Sequence, residues 1–211
     1  MDQTVRRITD ETQLRAIIGG EPKPVVATKI IDRLLDETRP FVEASPFVCV
    51  ATAGVDGGLD VSPRGDSAGF VRILDDRTLL LPDRPGNRLA DTLINLLGDD
   101  RIALLFLIPG IGDTFRVNGR AIITDDAELL ADSAAGGKPP RLGLVVTIEE
   151  AYLQCPKAMI RSRLWDPSRH AERSSLPSLG EVLAATASAG FDAEEYDRER
   201  AARYARGEGL Y

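Results

Sequence analysis

The sequence predicts an antiparallel β-barrel of six strands with helices at both ends, which is a mainly β fold of the α+β class. Six short segments in the middle of the chain are either wholly apolar or alternate between apolar and polar residues. Most connections between them are too short for the helical crossovers that parallel strands need. A dinucleotide-type fold is not expected, because Gly110 and Gly112 lie between two strands and not between a strand and a helix.

The first forty residues are predicted to be helical. Asp10 can cap a first helix, which Gly19 and Gly20 would end. A second helix is expected after Pro24, because four apolar side chains follow at helical spacing. These are Ile30, Ile31, Leu34 and Leu35.

The strands follow from residue 47 onward. The first two are predicted to form a hairpin over residues 47–64, around a glycine-rich turn. The other four are expected over residues 78–82, 102–108, 114–124 and 143–153. A helix over residues 86–97 connects the third strand to the fourth, and Asp125–Asp126 caps a short helix between the last two.

We expect a single domain with three parts. They are a helical extension (1–40), a barrel (41–166) and a helical C-terminal segment (167–211). The last helix, over 193–206, carries charges of both signs at helical spacing, which is typical of a solvated face. The alternative is that this helix covers a substrate.

Composition excludes several classes of function. The 211 residues include 26 Lys and Arg and 33 Asp and Glu, a net charge of −7, which argues against nucleic-acid binding. The N-terminus lacks the apolar core of a signal peptide, and no segment reaches the ~18 apolar residues of a membrane span. With His170 as the only histidine and no CxxC spacing, no metal site is expected. The sequence therefore predicts a cytoplasmic protein that binds neither nucleic acid nor a membrane.

Local positive charge in this acidic chain indicates an anion site. Arg64 ends a strand, and Arg84, Asn87 and Arg88 lie in the loop before the helix predicted from Gly86. Free backbone N–H groups at a helix start and arginine side chains both suit a phosphate. The alternative is that these arginines pair with nearby aspartates on a solvated face, namely Asp60, Asp66, Asp75, Asp76 and Asp83.

A second basic cluster follows the last strand. If residues 157–165 are helical, Lys157 and Arg161 share a face that Trp165 extends, and together they could hold a phosphorylated planar ring. Trp165 could equally pack in the core. On the strand 114–124, Thr114, Arg116 and Asn118 share one face, which would line a pocket or be exposed to solvent.

Five segments occur in an order that resembles a known superfamily. They are VSPRGDSAGF, TLLLPDRPGNRLADTLINLL, RIALLFLIPG, DTFRVNGRA and CPKAMIRSRLW, within residues 25–166. The sequence resembles the pyridoxamine 5′-phosphate oxidase-like FMN-binding split-barrel superfamily, and within it a bacterial branch of FMN-dependent enzymes of unassigned substrate. The C-terminal segment differs from that of the vitamin B6 oxidases, so that activity is not expected. Haem is not expected either, because it needs an axial ligand and His170 is the only histidine.

The resemblance implies a six-stranded antiparallel split barrel that forms a homodimer, with two FMN sites at the subunit interface. It places the FMN phosphate at Arg64 and Arg88, with Arg84 and Asn87 beside them. Thr114 and Arg116 would contact flavin held by the other subunit, and the later basic segment would close the site. The predicted cofactor contacts are Ser62, Arg64, Arg84, Asn87, Arg88, Thr114, Arg116, Lys157, Arg161 and Trp165.

The function expected from the resemblance is hydride or electron transfer through FMN to or from a small planar molecule, with the substrate unassigned. No residue is an obvious general acid or base, and Tyr152 and Arg116 are candidates as proton donors or anion clamps. Two alternatives stay open at this point. One is a flavin-binding protein without turnover, used for storage or electron transfer. The other is a reductase that depends on a deazaflavin.

Overall fold

The computed structural model describes residues 5–186 and 190–211 and contains one antiparallel sheet of seven strands. The strands are β1 (Phe47–Ala53), β2 (Leu59–Gly65), β3 (Arg72–Ile73), β4 (Thr78–Pro82), β5 (Arg101–Leu107), β6 (Thr114–Thr124) and β7 (Gly143–Gln154). Their order is β2-β1-β5-β6-β7-β4-β3, and the edge strands β2 and β3 do not pair with each other, so the barrel is open. The antiparallel, mainly β prediction is confirmed. The predicted number of six strands is one too low, because the two-residue β3 is too short to leave a pattern in the sequence.

One face of the sheet encloses the core. Along β1 and β5 every second residue is buried, as the two-residue period of a strand requires. Phe106 and Phe115 meet at the centre of this face with their rings 6.2 Å apart, and Phe41 stacks on Phe115 at the same distance. The core is therefore built mainly by strand residues that alternate inward.

The opposite face of β2, β1 and β5 is mainly apolar, and residues 5–186 and 190–211 do not cover it. We call it the outer face, and its apolar part consists of Leu59, Val61, Pro63, Phe47, Cys49, Ala51, Ala53, Ala103, Leu105 and Leu107. Arg101, at the start of β5, lies on the same face and is the charged residue of this surface. On its edge strand Leu59 is 84% exposed and Val61 is 66% exposed. An apolar sheet surface of this kind is typical of a binding interface.

A β-bulge between Asn118 and Gly119 shifts the pairing of β6 with β7. At this point a Cβ atom on Gly119 would lie 1.9 Å from the backbone oxygen of Thr147. The bulge therefore requires a residue without a side chain.

The helices flank the sheet. They are α1 (Glu11–Ile18), α2 (Pro24–Ala27), α3 (Arg39–Glu43), α4 (Asp91–Gly98), α5 (Ala127–Ala131), α6 (Lys157–Ser162), α7 (Leu179–Thr186) and α8 (Ala193–Ala205). Asp10 caps α1 and Asp126 caps α5 through their side chains, as predicted. Helices α7 and α8 pack on each other, and no residue of α8 is buried. The proposed three-part division of the chain stays a prediction.

The predicted second helix is wrong in its extent. α2 has only four residues, and Ile31 instead exchanges backbone hydrogen bonds with Ala151 of β7, at 3.0 and 2.7 Å. Leu34 is buried in the core, and its amide donates to Asp76. The apolar spacing that predicted a helix therefore belongs to an irregular segment that bridges to β7 and buries Leu34 in the core.

Two further helix boundaries differ from the prediction. α4 begins at Asp91 and not near Gly86, because Arg88 and Ala90 adopt left-handed backbone conformations that interrupt a helix. α6 ends at Ser162, because Arg163 is also left-handed. Trp165 is therefore not on the helical face of Lys157 and Arg161.

Candidate functional site

The inner side of β2 is polar and faces the start of α4. Asp60, Ser62 and Arg64 lie two residues apart, so their side chains share this side of the strand. The hydroxyl groups of Ser62 and of Thr92, in the first turn of α4, both donate to Oδ2 of Asp60 at 2.8 Å. This shared acceptor fixes the start of α4 against β2.

Two crossed ion pairs connect the end of β2 to the loop that precedes α4. Nη1 of Arg64 lies 3.0 Å from Oδ1 of Asp83, and Nε of Arg84 lies 2.7 Å from Oδ2 of Asp66. Arg84 also donates to the backbone oxygen of Ser133 at 2.9 Å. For Arg64 and Arg84, the structure therefore agrees with the alternative in which arginines pair with nearby aspartates.

The two aspartates of these pairs differ electrostatically. Burial raises the pKa of Asp83, and the positive charges of Arg64 and Arg84 offset this only in part. Burial also acts to raise the pKa of Asp66, but hydrogen bonds from the Ser67 amide, the Tyr211 hydroxyl and Arg84 hold it below its usual value. The Asp66 pair is thus the better satisfied of the two, and Asp83 is the carboxylate more easily neutralised.

The loop 83–90 presents unpaired hydrogen-bond donors at the start of α4. The left-handed Ala90 leaves α4 without a side-chain cap. Within residues 5–186 and 190–211, the backbone N–H groups of residues 91–93 have no acceptor. Arg88 is exposed, its φ of 65° is rare for a residue with a side chain, and no carboxylate of the described residues lies within 4.0 Å of its guanidinium. Such a set of donors is able to accept an anion.

Asn87 stabilises the loop, and its side-chain oxygen is used within the loop and not for a ligand. Its Oδ1 accepts a hydrogen bond from the amide of Leu89 at 3.0 Å. The side-chain amide nitrogen of Asn87 remains available in the described structure.

Tyr211 is a further residue of this region that sequence reasoning missed. Its hydroxyl donates to Oδ1 of Asp66 at 3.0 Å, and its ring lies 5.8 Å from the guanidinium carbon of Arg84. A Cβ on Gly136 would come within 3.1 Å of this ring, so the glycine permits the contact. Tyr211 borders a cavity of about 260 Å³ that Ser133 also lines, and the Ser133 hydroxyl is buried without a partner in the described residues. No local pattern in the sequence connects residues 66, 84 and 211.

A second group of predicted residues lies on β6 and β7. Thr114 is buried, and Arg116 is half-buried directly opposite Tyr152. Nη1 of Arg116 donates to the Tyr152 hydroxyl at 2.9 Å, and Nζ of Lys29 lies 5.2 Å from the centre of the same ring. Lys29 was missed because the sequence placed it in a predicted helix.

The late basic segment lies next to the β5–β6 turn. Nε1 of Trp165 donates to the backbone oxygen of Ile111 at 2.8 Å, so this half-buried ring is anchored to the turn and is not part of the core. Lys157 and Arg161 are exposed on α6, one helical turn apart. These three residues lie at the same end of the sheet as Thr114, which pairs with Gln154.

The predicted residues therefore form two groups in one chain. Ser62, Arg64 and loop 83–90 form the first, while Thr114, Arg116 and the α6 segment form the second. Strands β1 and β5 lie between β2 and β6, and three strand spacings amount to about 14 Å. A cavity of about 490 Å³ at the tip of the β1–β2 hairpin, beside Leu97 and Arg101, contains none of these residues.

Two classes of feature are absent from the described part of the chain. No group of three or more His, Cys, Asp or Glu side chains there could hold a metal ion. No helix in residues 5–186 and 190–211 has the length and apolar character needed to cross a membrane.

Several solved structures match this chain at low identity and with TM-scores below 0.5. HupZ from Group A Streptococcus has 17% identity and a TM-score of 0.49, with 58% of this chain and 94% of HupZ covered. A Clostridium acetobutylicum protein of the pyridoxinephosphate oxidase family, related to general stress protein 26, has 18% identity and a TM-score of 0.44, with coverage of 56% and 86%. A protein described as F420 reductase has 16% identity and a TM-score of 0.42, with coverage of 57% and 98%.

The sequence comparison with protein families gives a more specific result. Among curated proteins no relative matches the chain. A family model described as Pyridoxamine 5′-phosphate oxidase, however, matches residues 34–155, which include every strand of the sheet, loop 83–90 and α4. This range covers more than half of the 211 residues. The chain therefore belongs to the pyridoxamine 5′-phosphate oxidase family of split-barrel proteins, which are oxidoreductase-like and bind flavin.

Proposed function

We propose that the protein is an FMN-dependent oxidoreductase that binds its cofactor between the two subunits of a homodimer. The observation that carries this proposal is the donor-rich loop 83–90. Unpaired amides at the start of α4 and the left-handed Arg88 suit a phosphate with two negative charges, and Arg64 is connected to the same loop by its ion pair with Asp83. FMN has such a phosphate, and members of this family bind flavin.

The residues present fit the phosphate of the cofactor in this role. Arg64 and Arg88 would supply charge, while the backbone amides of α4 would supply directed hydrogen bonds. Thr92 would hold the helix to the strand through Asp60, and Ser62 would orient the Asp60 carboxylate. Arg84 would not contact the phosphate directly but would position the loop, because Asp66 and Ser133 already bind its guanidinium.

The uncovered outer face supports a dimer. Its charged residue, Arg101 at the start of β5, is paired with Asp99, so a second copy of this acidic chain could cover the apolar part without bringing like charges together. A two-fold interface would also allow the second group of one subunit to approach the first group of the other. This would explain why the two groups are separated by two strands within one chain.

When bound, FMN supplies hydride or electron transfer at its N5 atom. The protein would bind the phosphate, orient the ring and exclude water from it. Thr114, Arg116, Lys157, Arg161 and Trp165 stay predicted contacts to the remainder of the cofactor. The catalytic residues are not assigned, and a cytoplasmic location stays an expectation.

An absorbance spectrum of the purified protein, recorded before and after FMN is added and removed by desalting, tests the cofactor. Retained bands near 370 and 450 nm (roughly, for oxidised flavin) are expected. Steady-state oxidation of NADH or NADPH by the loaded protein would then support an enzyme. Retention without any turnover would favour a storage or electron-transfer protein, and tighter binding of a deazaflavin would favour the deazaflavin-dependent reductase.

Replacing Arg88 with alanine is expected to weaken FMN binding by about 1.5–3 kcal/mol, the contribution of a charged hydrogen bond. Fluorescence titration of the flavin-free protein measures this loss. Arg141→Ala is the matched control, since Arg141 is also an exposed arginine. If FMN affinity is the same in both variants and the parent, Arg88 does not bind the phosphate.

Replacing Asp83 with asparagine is expected to strengthen FMN binding, by about threefold to tenfold for one partly screened charge. The substitution keeps the shape of the side chain, frees Arg64 from its ion pair and removes a carboxylate that would repel the phosphate. Asp36→Asn is the control, because Asp36 is wholly exposed. Weaker binding by the Asp83 variant alone would place the phosphate elsewhere.

A further inference from the structure

Three side chains form a cationic cluster beside the outer face, and we call it the Lys29 cluster. It consists of Lys29, Arg116 and Tyr152. Arg116 and Tyr152 are direct neighbours across β6 and β7, whereas Lys29 arrives from the segment between α2 and α3. The guanidinium carbon of Arg116 and the amine of Lys29 lie 5.6 and 5.2 Å from the centre of the Tyr152 ring.

The cluster offers hydrogen-bond donors and no strong acceptor. The Tyr152 oxygen already accepts a hydrogen bond from Arg116, which leaves its O–H free to donate. Lys29 uses one N–H on the backbone oxygen of Leu153, at 2.9 Å. In the described residues, the other N–H groups of Lys29 and Arg116 have no side-chain partner. Both cations border the same Tyr152 ring, so the three groups offer donors to an anion that binds at this ring.

The positive charge of the cluster is not neutralised by the described part of this chain. No carboxylate there lies within 4.0 Å of the Arg116 guanidinium or the Lys29 amine, although Arg116 is half-buried. Glu150 lies on the same face, but its carboxylate accepts a hydrogen bond from Asn118 at 3.0 Å. A half-buried arginine without a counter-charge is costly, so a bound anion would stabilise it.

The neighbours of the cluster indicate the remainder of the ligand. Leu105 of β5 lies directly opposite Arg116, and Cys49 of β1 lies directly opposite Leu105. The surface therefore changes from cationic to apolar within one strand spacing. In the proposed dimer this boundary lies at the edge of the covered surface, where it suits a molecule that has an anionic end at the cluster and an apolar, flat body held between the subunits. A free phosphate would leave the apolar part unused.

We propose that Lys29, Arg116 and Tyr152 bind the carboxylate of a small planar organic acid, which is the substrate class of this protein. The proposal rests on the function proposed above, because the substrate must lie beside the flavin. Lys29 and Tyr152 then determine specificity for the substrate. Arg116 has enough N–H groups to contact both the flavin and the substrate carboxylate.

Calorimetric titration with benzoate tests the proposal on FMN-loaded and on flavin-free protein. Benzamide, which has the same shape without the charge, and inorganic phosphate are titrated in parallel. Benzoate is expected to bind, and benzamide is not. Lys29→Met and Arg116→Met should each weaken benzoate binding about tenfold or more, as expected for the loss of a charged hydrogen bond. Tyr152→Phe should weaken it less, because it removes a neutral donor.

Two substitutions serve as matched controls. Arg120→Met removes an exposed arginine from the same strand, where it pairs with Asp100 and Glu149, and Lys23→Met removes an exposed lysine near α2. Neither should change benzoate binding. Circular dichroism of each variant verifies its fold, and Lys29 is itself exposed, so its replacement should not disturb the core.

The outcomes separate this proposal from the preceding one. FMN retention without benzoate binding, or equal binding of benzoate and benzamide, would overturn the carboxylate site and leave the flavin proposal intact. Phosphate binding in place of benzoate would also overturn it. Benzoate binding that depends on Lys29 and Arg116 in a protein that does not bind FMN would support the carboxylate site and contradict the flavin proposal.

Discussion

Alanine in place of Gly119 is expected to lower the free energy of unfolding by at least about 4 kcal/mol, the range of rare, severely disruptive substitutions. The added Cβ would lie 1.9 Å from the backbone oxygen of Thr147. No flexible side chain can move away to relieve this overlap, so β6 and β7 would have to separate at the bulge. These are the two longest strands, and β6 carries Phe115 of the core.

Urea denaturation measures this effect, with Gly86→Ala as the matched control. A Cβ on Gly86 would meet no atom within 4 Å, and Gly86 does not adopt a left-handed conformation. The control should therefore unfold at about the same urea concentration as the parent. Similar stabilities for the Gly119 variant and the parent would mean that the bulge between Asn118 and Gly119 is not formed as described.

The strands were more predictable than the helices, for a physical reason. The alternation in β1 and β5 follows directly from burial on one face of the sheet, so the sequence pattern and the structure have the same cause. Ile30, Ile31, Leu34 and Leu35 have helical spacing, but Ile31 pairs with Ala151, which lies 120 residues later in the chain. A contact so distant in sequence overrides local preference and leaves no local signal.

Only part of the candidate site could be predicted. Arg64 and Arg88 could be identified as candidate anion contacts, because their sequence neighbours indicate a strand end and a turn. The partners of Arg64 and Arg84 could be named only as a set of nearby aspartates, because the crossed pairing depends on the position of the loop 83–90. Asp60, Ser62 and Arg64 share a side by the two-residue period, so Asp60 was predictable as a partner of Ser62. Lys29 and Tyr211 reach their sites through tertiary structure alone.

Aspartate in place of Val61 is expected to convert the protein to a monomer and to abolish measurable FMN retention. Val61 is 66% exposed in the single chain, so the substitution should not unfold it. It lies on the outer face opposite Ala51, and in the proposed dimer its carboxylate would be buried without a partner. Such a charge costs about 3–5 kcal/mol, and two-fold symmetry places it in the interface twice.

Val55→Asp is the matched control for this substitution. Val55 is 81% exposed and lies in the turn between β1 and β2, outside the sheet. Light scattering during size-exclusion chromatography gives the mass of each variant, and absorbance of the same peak gives its flavin content. If the dimer forms through the outer face and completes the site, mass and flavin are lost together in the Val61 variant and retained in the control. A monomeric Val61 variant that still holds FMN would place the whole cofactor site within one chain, and a dimeric variant would place the subunit interface on another surface.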